Sequence, residues 1–178
     1  MKTNRILFHL FVLSFTLIGL FGAAQAQDAA PVEPLTLRGE PVVLNFSSGA
    51  AGPPTVEMLS DGRMTFRIQA AGDVSGALEG SISAKVSEVT AVPSPAFHPV
   101  TVIFTIETDL GQIEGYYAGS LYLAEGSDSA IIDASGQILS VSGAYADLYL
   151  ADVIVSSAVQ FVDGRSVGES GTMTLAAR

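Results

Sequence analysis

The side chains of this sequence that could do chemistry fall into a few small groups. Tyr116, Tyr117, Tyr122, Tyr145 and Tyr149 are all five tyrosines of the chain, and they lie within 34 positions. A phenol offers a flat apolar face and a hydroxyl, so such a cluster can line a ligand cavity. Tyrosine is also simply a good strand residue. Glu107 and Glu114 form a candidate carboxylate pair, the equipment of glycoside hydrolysis. His98 lies in Pro95-Ala96-Phe97-His98-Pro99, which reads as an exposed loop bounded by prolines, and so as a surface histidine rather than a general base. Asp128, Asp133, Asp147, Asp152 and Asp163 are scattered, without the D-x-[DN]-x-[DN]-G spacing of a calcium loop. Gly168-Glu169-Ser170-Gly171 lacks the G-x-S-x-G spacing of a nucleophile elbow. There is no cysteine, and beyond Ala26 the one histidine is His98. Disulfides, thiol catalysis and Cys/His zinc clusters are thereby excluded. No catalytic residue, metal or cofactor is assigned.

The elements that must position these groups are strands. Pro41–Phe46, Thr65–Gln69, Val100–Ile106, Gln112–Leu123, Ala130–Ala134, Gln137–Ser142, Leu148–Val162 and Gly171–Ala176 are apolar, alternating or β-branched. Turn pairs recur at Asp61-Gly62, Leu110-Gly111, Ser135-Gly136 and Asp163-Gly164. Ala144–Val153 competes as a helix, with Tyr145, Leu148, Tyr149 and Asp152 at helical spacing, but it is short. About eight strands with short turns predict an all-β domain, either a single antiparallel barrel or a β-sandwich. Gly76, Gly80, Gly115 and Gly119 fall inside strand-like runs and favour the barrel, where coiled strands crowd one another. Gly-Gln-Ile recurs at 111–113 and 136–138, each copy read as the start of a strand after a turn.

If Thr108 pairs with Gly111, then Ile106 faces Ile113 and Phe104 faces Gly115. One face of that hairpin then carries Val102, Phe104, Ile106, Ile113 and Tyr117. The other carries Thr105, Glu107, Gln112, Glu114 and Tyr116, which puts the two glutamates in solvent. Tyr117, Tyr145 and Tyr149 are the candidate ligand-binding residues. Tyr117 leads because the alternation turns it inward.

The N-terminus reads as an export signal. Lys2 and Arg5 precede an apolar run from Ile6 to Phe21, and Ala24-Gln25-Ala26 is a small-x-small cleavage site. The run is short for a span of about 30 Å, which takes roughly 20 residues. Residues 1–26 are thus expected to be a signal peptide cut after Ala26, 27–34 a Pro-containing flexible lead-in, and 35–178 one domain, secreted or periplasmic. Whether 35–71 completes the barrel or packs outside it is open. Without Lys2 and Arg5, six basic residues face 18 acidic ones. Such a surface repels nucleic acid and anionic lipid.

From Val74 onward, over about 100 residues, the layout resembles the allene oxide cyclase barrel-like group, which includes dirigent-type proteins. The resemblance rests on Ser75-Gly76-Ala77-Leu78-Glu79-Gly80 opening a strand, then on Phe104–Thr108 leading through Gly111 into Ile113–Gly119. Last comes Val141-Ser142-Gly143-Ala144-Tyr145, similar to that group's Gly-Thr-Gly-x-aromatic turn. Val141 stands for its first glycine and Ser142 for its threonine. Asp147 and Leu148 stand where a small residue and a glycine are expected. The resemblance implies an eight-stranded barrel, often oligomeric, with a central cavity. None of that group's functional residues can be placed on this chain.

Three functions follow as expectations. The first is an exported, non-enzymatic barrel that binds a small apolar or aromatic ligand, or a surface partner, and is open to self-association. The second is a cyclase- or dirigent-like enzyme working in an apolar cavity. The third is a structural envelope component. A carboxylate buried beside Tyr117 would favour the enzyme, and a dry, fully packed barrel would favour the structural role.

Overall fold

The computed structural model describes residues 40–90, 97–123, 126–162 and 165–177. The proposed signal peptide with Ala24 and Ala26, the lead-in and the Asp163-Gly164 turn lie outside them. In chain order the strands are β1 (Val42–Ala50), β2 (Thr55–Met58), β3 (Met64–Gly76), β4 (Gly80–Thr90), β5 (Phe97–Thr108), β6 (Gly111–Leu123), β7 (Ser129–Val141), β8 (Asp152–Val162) and β9 (Arg165–Ala176). A 3-10 helix spans Gly143–Leu148 between β7 and β8.

Each strand from β3 to β9 pairs antiparallel with the next in sequence. β1 closes the ring. It lies between β9, with Leu44 opposite Met173, and the second half of β3, with Leu44 opposite Gly76. Eight strands therefore form a closed antiparallel barrel. β2 is an additional strand that covers the first half of β3, where β1 has ended. The segment before Ala71 thus completes the barrel and adds a short edge to it. Closure leaves almost no free sheet edge to template aggregation.

The hairpin register read from the sequence is the one observed: Thr108 faces Gly111, Ile106 faces Ile113 and Phe104 faces Gly115. Val102, Phe104, Ile106, Ile113 and Tyr117 are buried, while Glu107, Glu114 and Tyr116 are exposed. The core continues round the ring through Leu44, Phe46, Ile132, Ile138, Val153, Val155, Met173 and Leu175. Burying each of these large aliphatic or aromatic side chains contributes about 1.5–3 kcal/mol.

Several expected boundaries differ. Ser135-Gly136 is not a turn; the two segments around it form the single strand β7, and Gly136 lies opposite Tyr117. A Cβ on Gly136 would sit 1.8 Å from the Tyr116 carbonyl oxygen. This glycine serves close strand approach, not reversal, so the second Gly-Gln-Ile copy lies mid-strand. The strand that Ser75–Gly80 was read as opening is β4, which starts at Gly80, and β9 begins at Arg165 rather than Gly171. β8 begins only at Asp152. Residues 143–148 are taken by the 3-10 helix, and Leu150 has a φ of 62°, which breaks the extended chain before it.

One end of the barrel is filled by that helix. Ala144, Tyr145 and Leu148 are buried, the Ala144 amide donates to the Leu110 carbonyl at 2.9 Å, and the Tyr145 hydroxyl is hydrogen-bonded to Thr108. Gly136→Ala is expected to cost about 1–3 kcal/mol, because the strand must shift to admit a methyl group. Gly52→Ala, with nothing within 4 Å of its Cβ position, should leave stability unchanged. Chemical denaturation of both variants checks this.

Candidate functional site

The inward alternation that packs one end of the barrel continues toward the other, but the residues become polar. On β9, Leu175 and Met173 point into the core, and two steps further on come Gly171 and Glu169. On β8 the series Val153, Val155, Ser157, Val159 is buried throughout. On β4 it runs Ile82, Ala84, Val86, Glu88, Thr90, and on β5 it starts at His98 before Val100 and Val102. The polar residues of the lumen are therefore core positions of regular strands.

Glu169 is largely buried. It lies between Ser48 on β1 and Val159 on β8, and accepts a 2.7 Å hydrogen bond from the Ser157 hydroxyl. Burial pushes its carboxyl above the ordinary value of 4.5, and the Ser157 hydrogen bond only partly opposes this. No ion pair to Glu169 exists among the described residues. Tyr117 is pushed well above its ordinary value, first by burial and second by the charge of Glu169. The phenol thus lies within the electrostatic reach of that carboxylate, while its ring packs on Phe104 with centroids 6.0 Å apart. A buried carboxylate beside Tyr117 is what the sequence left unidentified.

His98 corrects its sequence reading. It is not on an exposed loop but buried in β5, with Nδ1 bonded to the Glu88 carboxylate and Nε2 3.4 Å from the Thr90 hydroxyl. Glu88, Thr90 and His98 line an open apolar mouth of about 1010 Å³, whose walls include Met64, Phe66, Ile68 and Phe161. Below it, a narrow cavity of about 50 Å³ reaches between Val100, Leu121 and Ile132 and is bordered by both Glu88 and Glu169. Ala50, Ile68, Glu88, Phe161 and Ser166 belong to both walls, so mouth and cavity adjoin.

The tyrosine cluster does not act as one site. Tyr116 and Tyr122 face outward, and Tyr122 stacks on the exposed Phe97 with centroids 4.9 Å apart. Tyr149 is 58% exposed beyond the 3-10 helix, so it does not face the lumen. Tyr145 is buried at the filled end, on the far side of the barrel from the mouth. Of the candidates, Tyr117 alone lies within electrostatic reach of Glu169, and no tyrosine lines the mouth or the narrow cavity. Glu107 and Glu114 are on the solvent face. No cluster of three metal-ligating side chains occurs among the described residues. Comparisons with protein-family models, curated proteins and solved structures find no match to this chain.

The arrangement can do two things chemically: accept an apolar body in the mouth, and present a carboxyl group at the bottom of it. The pH dependence of Glu169 gives a direct check. Well below pH 4.5 the carboxyl is neutral in folded and unfolded chains alike, and no charge has to be buried. As pH rises past that value, the unfolded chain releases the proton while the folded chain keeps it. Stability then falls by up to about 1.4 kcal/mol per pH unit until the folded group ionises too. Glu169→Gln carries no such cost. The variant should be more stable than the parent at pH 7, and the gap should close as pH falls toward 4.5. Urea unfolding at a series of pH values measures it.

Proposed function

We propose that this protein is an exported barrel that takes up a small apolar or aromatic molecule through its open mouth and holds it over a buried carboxyl group. The observation that carries this reading is the uneven filling of the lumen. One end is packed around Phe104, Ile106, Tyr145 and Leu148, while the other holds an open, mostly apolar concavity walled by Phe66, Ile68 and Phe161. Ligand sites are commonly such concavities, mostly apolar with a few placed polar groups. The resemblance of the second half of the chain to barrels with a central cavity supports it as well. An open cavity weighs against a purely structural role, for which a filled barrel would suffice.

A second reading is favoured by one observation, the carboxyl of Glu169 beside Tyr117. A buried carboxyl kept protonated to higher pH can give up or take a proton within the lumen. That is the kind of polar group a cyclase- or dirigent-like enzyme would need to steer a reactive intermediate. On the binding reading a ligand leaves the barrel unchanged; on the enzyme reading it leaves as an isomer or adduct.

The test uses N-phenyl-1-naphthylamine, a neutral apolar fluorophore, titrated into the purified protein. One molecule per barrel should bind, with a rise in emission. Ile68→Trp places an indole where mouth and cavity meet, and should weaken binding at least tenfold with the thermal unfolding midpoint nearly unchanged. Binding of equal strength to both proteins would sink the proposal.

A further inference from the structure

The mouth and its inner cavity differ from an ordinary apolar pocket in the sign of what they enclose. Their walls carry two carboxylates, Glu88 and Glu169, and their charge balance is incomplete. Glu88 has its counter-group in His98. Glu169 has a single hydroxyl, from Ser157, as its hydrogen-bond partner, and among the described residues no cation pairs with it. Arg165 stands at the rim, exposed, and makes no ion pair with either carboxylate among the described residues. A buried carboxylate without a cation is costly, and among the described residues the Ser157 hydroxyl alone offsets part of that cost.

We propose, building on the binding reading above, that the occupant is a primary or secondary alkyl amine, its ammonium seated against Glu169 and its chain lying in the mouth. The inner cavity of about 50 Å³ has the size for this head. A water-sized group needs about 10–15 Å³ of such space, so an ammonium and its first methylenes fit where a ring does not. The donors of an ammonium also find acceptors there. Ser48 lies directly across from Glu169 in the β1–β9 register, and Ser48 and Ser166 both border the cavity. Outward from this polar floor the wall turns apolar at Ile68, Phe161, Phe66 and Met64, as an alkyl chain requires. The net charge of −10 over the whole chain draws cations toward the barrel. An alkyl carboxylate would find no counter-charge there, since Glu88 is already paired with His98 and Glu169 is itself an acid, and it is rejected by the same geometry.

The experiment compares octylamine, 1-octanol and octanoate, which share one tail, by titration calorimetry at pH 7 on the purified protein and on Glu169→Gln. Octylamine should bind at least tenfold more tightly than 1-octanol, and octanoate should not bind. In Glu169→Gln the amine should lose at least tenfold while the alcohol changes less than twofold. Octylamine binding should also show proton release into buffer, as the head drives Glu169 to ionise. Equal binding of amine and alcohol to the unaltered protein, or an amine affinity indifferent to Glu169→Gln, would overturn the inference and leave the binding reading standing. Failure of all three octyl compounds, together with failure of the neutral fluorophore, would overturn both.

Discussion

Closing eight strands into one narrow ring crowds its interior, and three inward aromatic side chains each have a glycine opposite them. Phe104 lies across from Gly115, Tyr117 across from Gly136, and Phe46 across from Gly171. A Cβ on Gly115 would meet the Phe104 ring at 2.7 Å, and one on Gly171 would meet the Ser156 carbonyl at 2.4 Å. These pairings let aromatic rings fill a narrow interior to the density of a protein core. They also fix where space is left over. With Phe104 and the 3-10 helix filling one end, the free volume of the lumen lies toward the other, where all eight barrel strands contribute to its lining.

The polar groups of the lumen make sense against that division. A chain without cysteine draws its stability from burial and sheet pairing, and a charged group in the interior opposes the first of these. Glu88 and His98 limit the cost by pairing with each other near the rim. Glu169 lies deeper, with Ser157 as its hydrogen-bond partner, and holds its proton more tightly than an exposed glutamate. Local destabilisation of this kind is what a binding or catalytic position shows when its group is kept for a purpose other than folding.

Much of the fold was legible in the sequence. The alternation in Val102–Thr108 and Gly111–Tyr117 specified a hairpin register, and that register holds pair for pair. Of the glycines that argued for a barrel, Gly115 and Gly119 are inside β6, whereas Gly76 ends β3 at a φ of 105° and Gly80 opens β4, so those two serve the turn between them. Much of the polar site was hidden for a physical reason: its residues sit where strands run on past their apolar stretch. Leu175, Met173 and Gly171 continue in step to Glu169, and Val102 and Val100 continue in step to His98, so period-two extension would have found both. Two local cues stopped that extension. Pro99 suggested a loop, yet it is accommodated at the third residue of β5, opposite Ser120. The Gly-Glu-Ser-Gly run was weighed only as a nucleophile elbow, with the strand begun at Gly171, yet β9 passes straight through it. Tyr145 and Tyr149 were hard to place because their segment is neither strand nor α-helix but a single 3-10 stretch, which buries one and exposes the other.

The central claim is that this barrel carries a small molecule in the open half of its lumen. The most direct measurement is the native mass of the protein recovered from cells that produce it, compared with its mass after denaturation. The account predicts a defined excess of one small molecule per barrel, absent from Ile68→Trp prepared in the same way. A bare barrel mass in the native spectrum of the unaltered protein, with the neutral fluorophore also failing to bind, would contradict it.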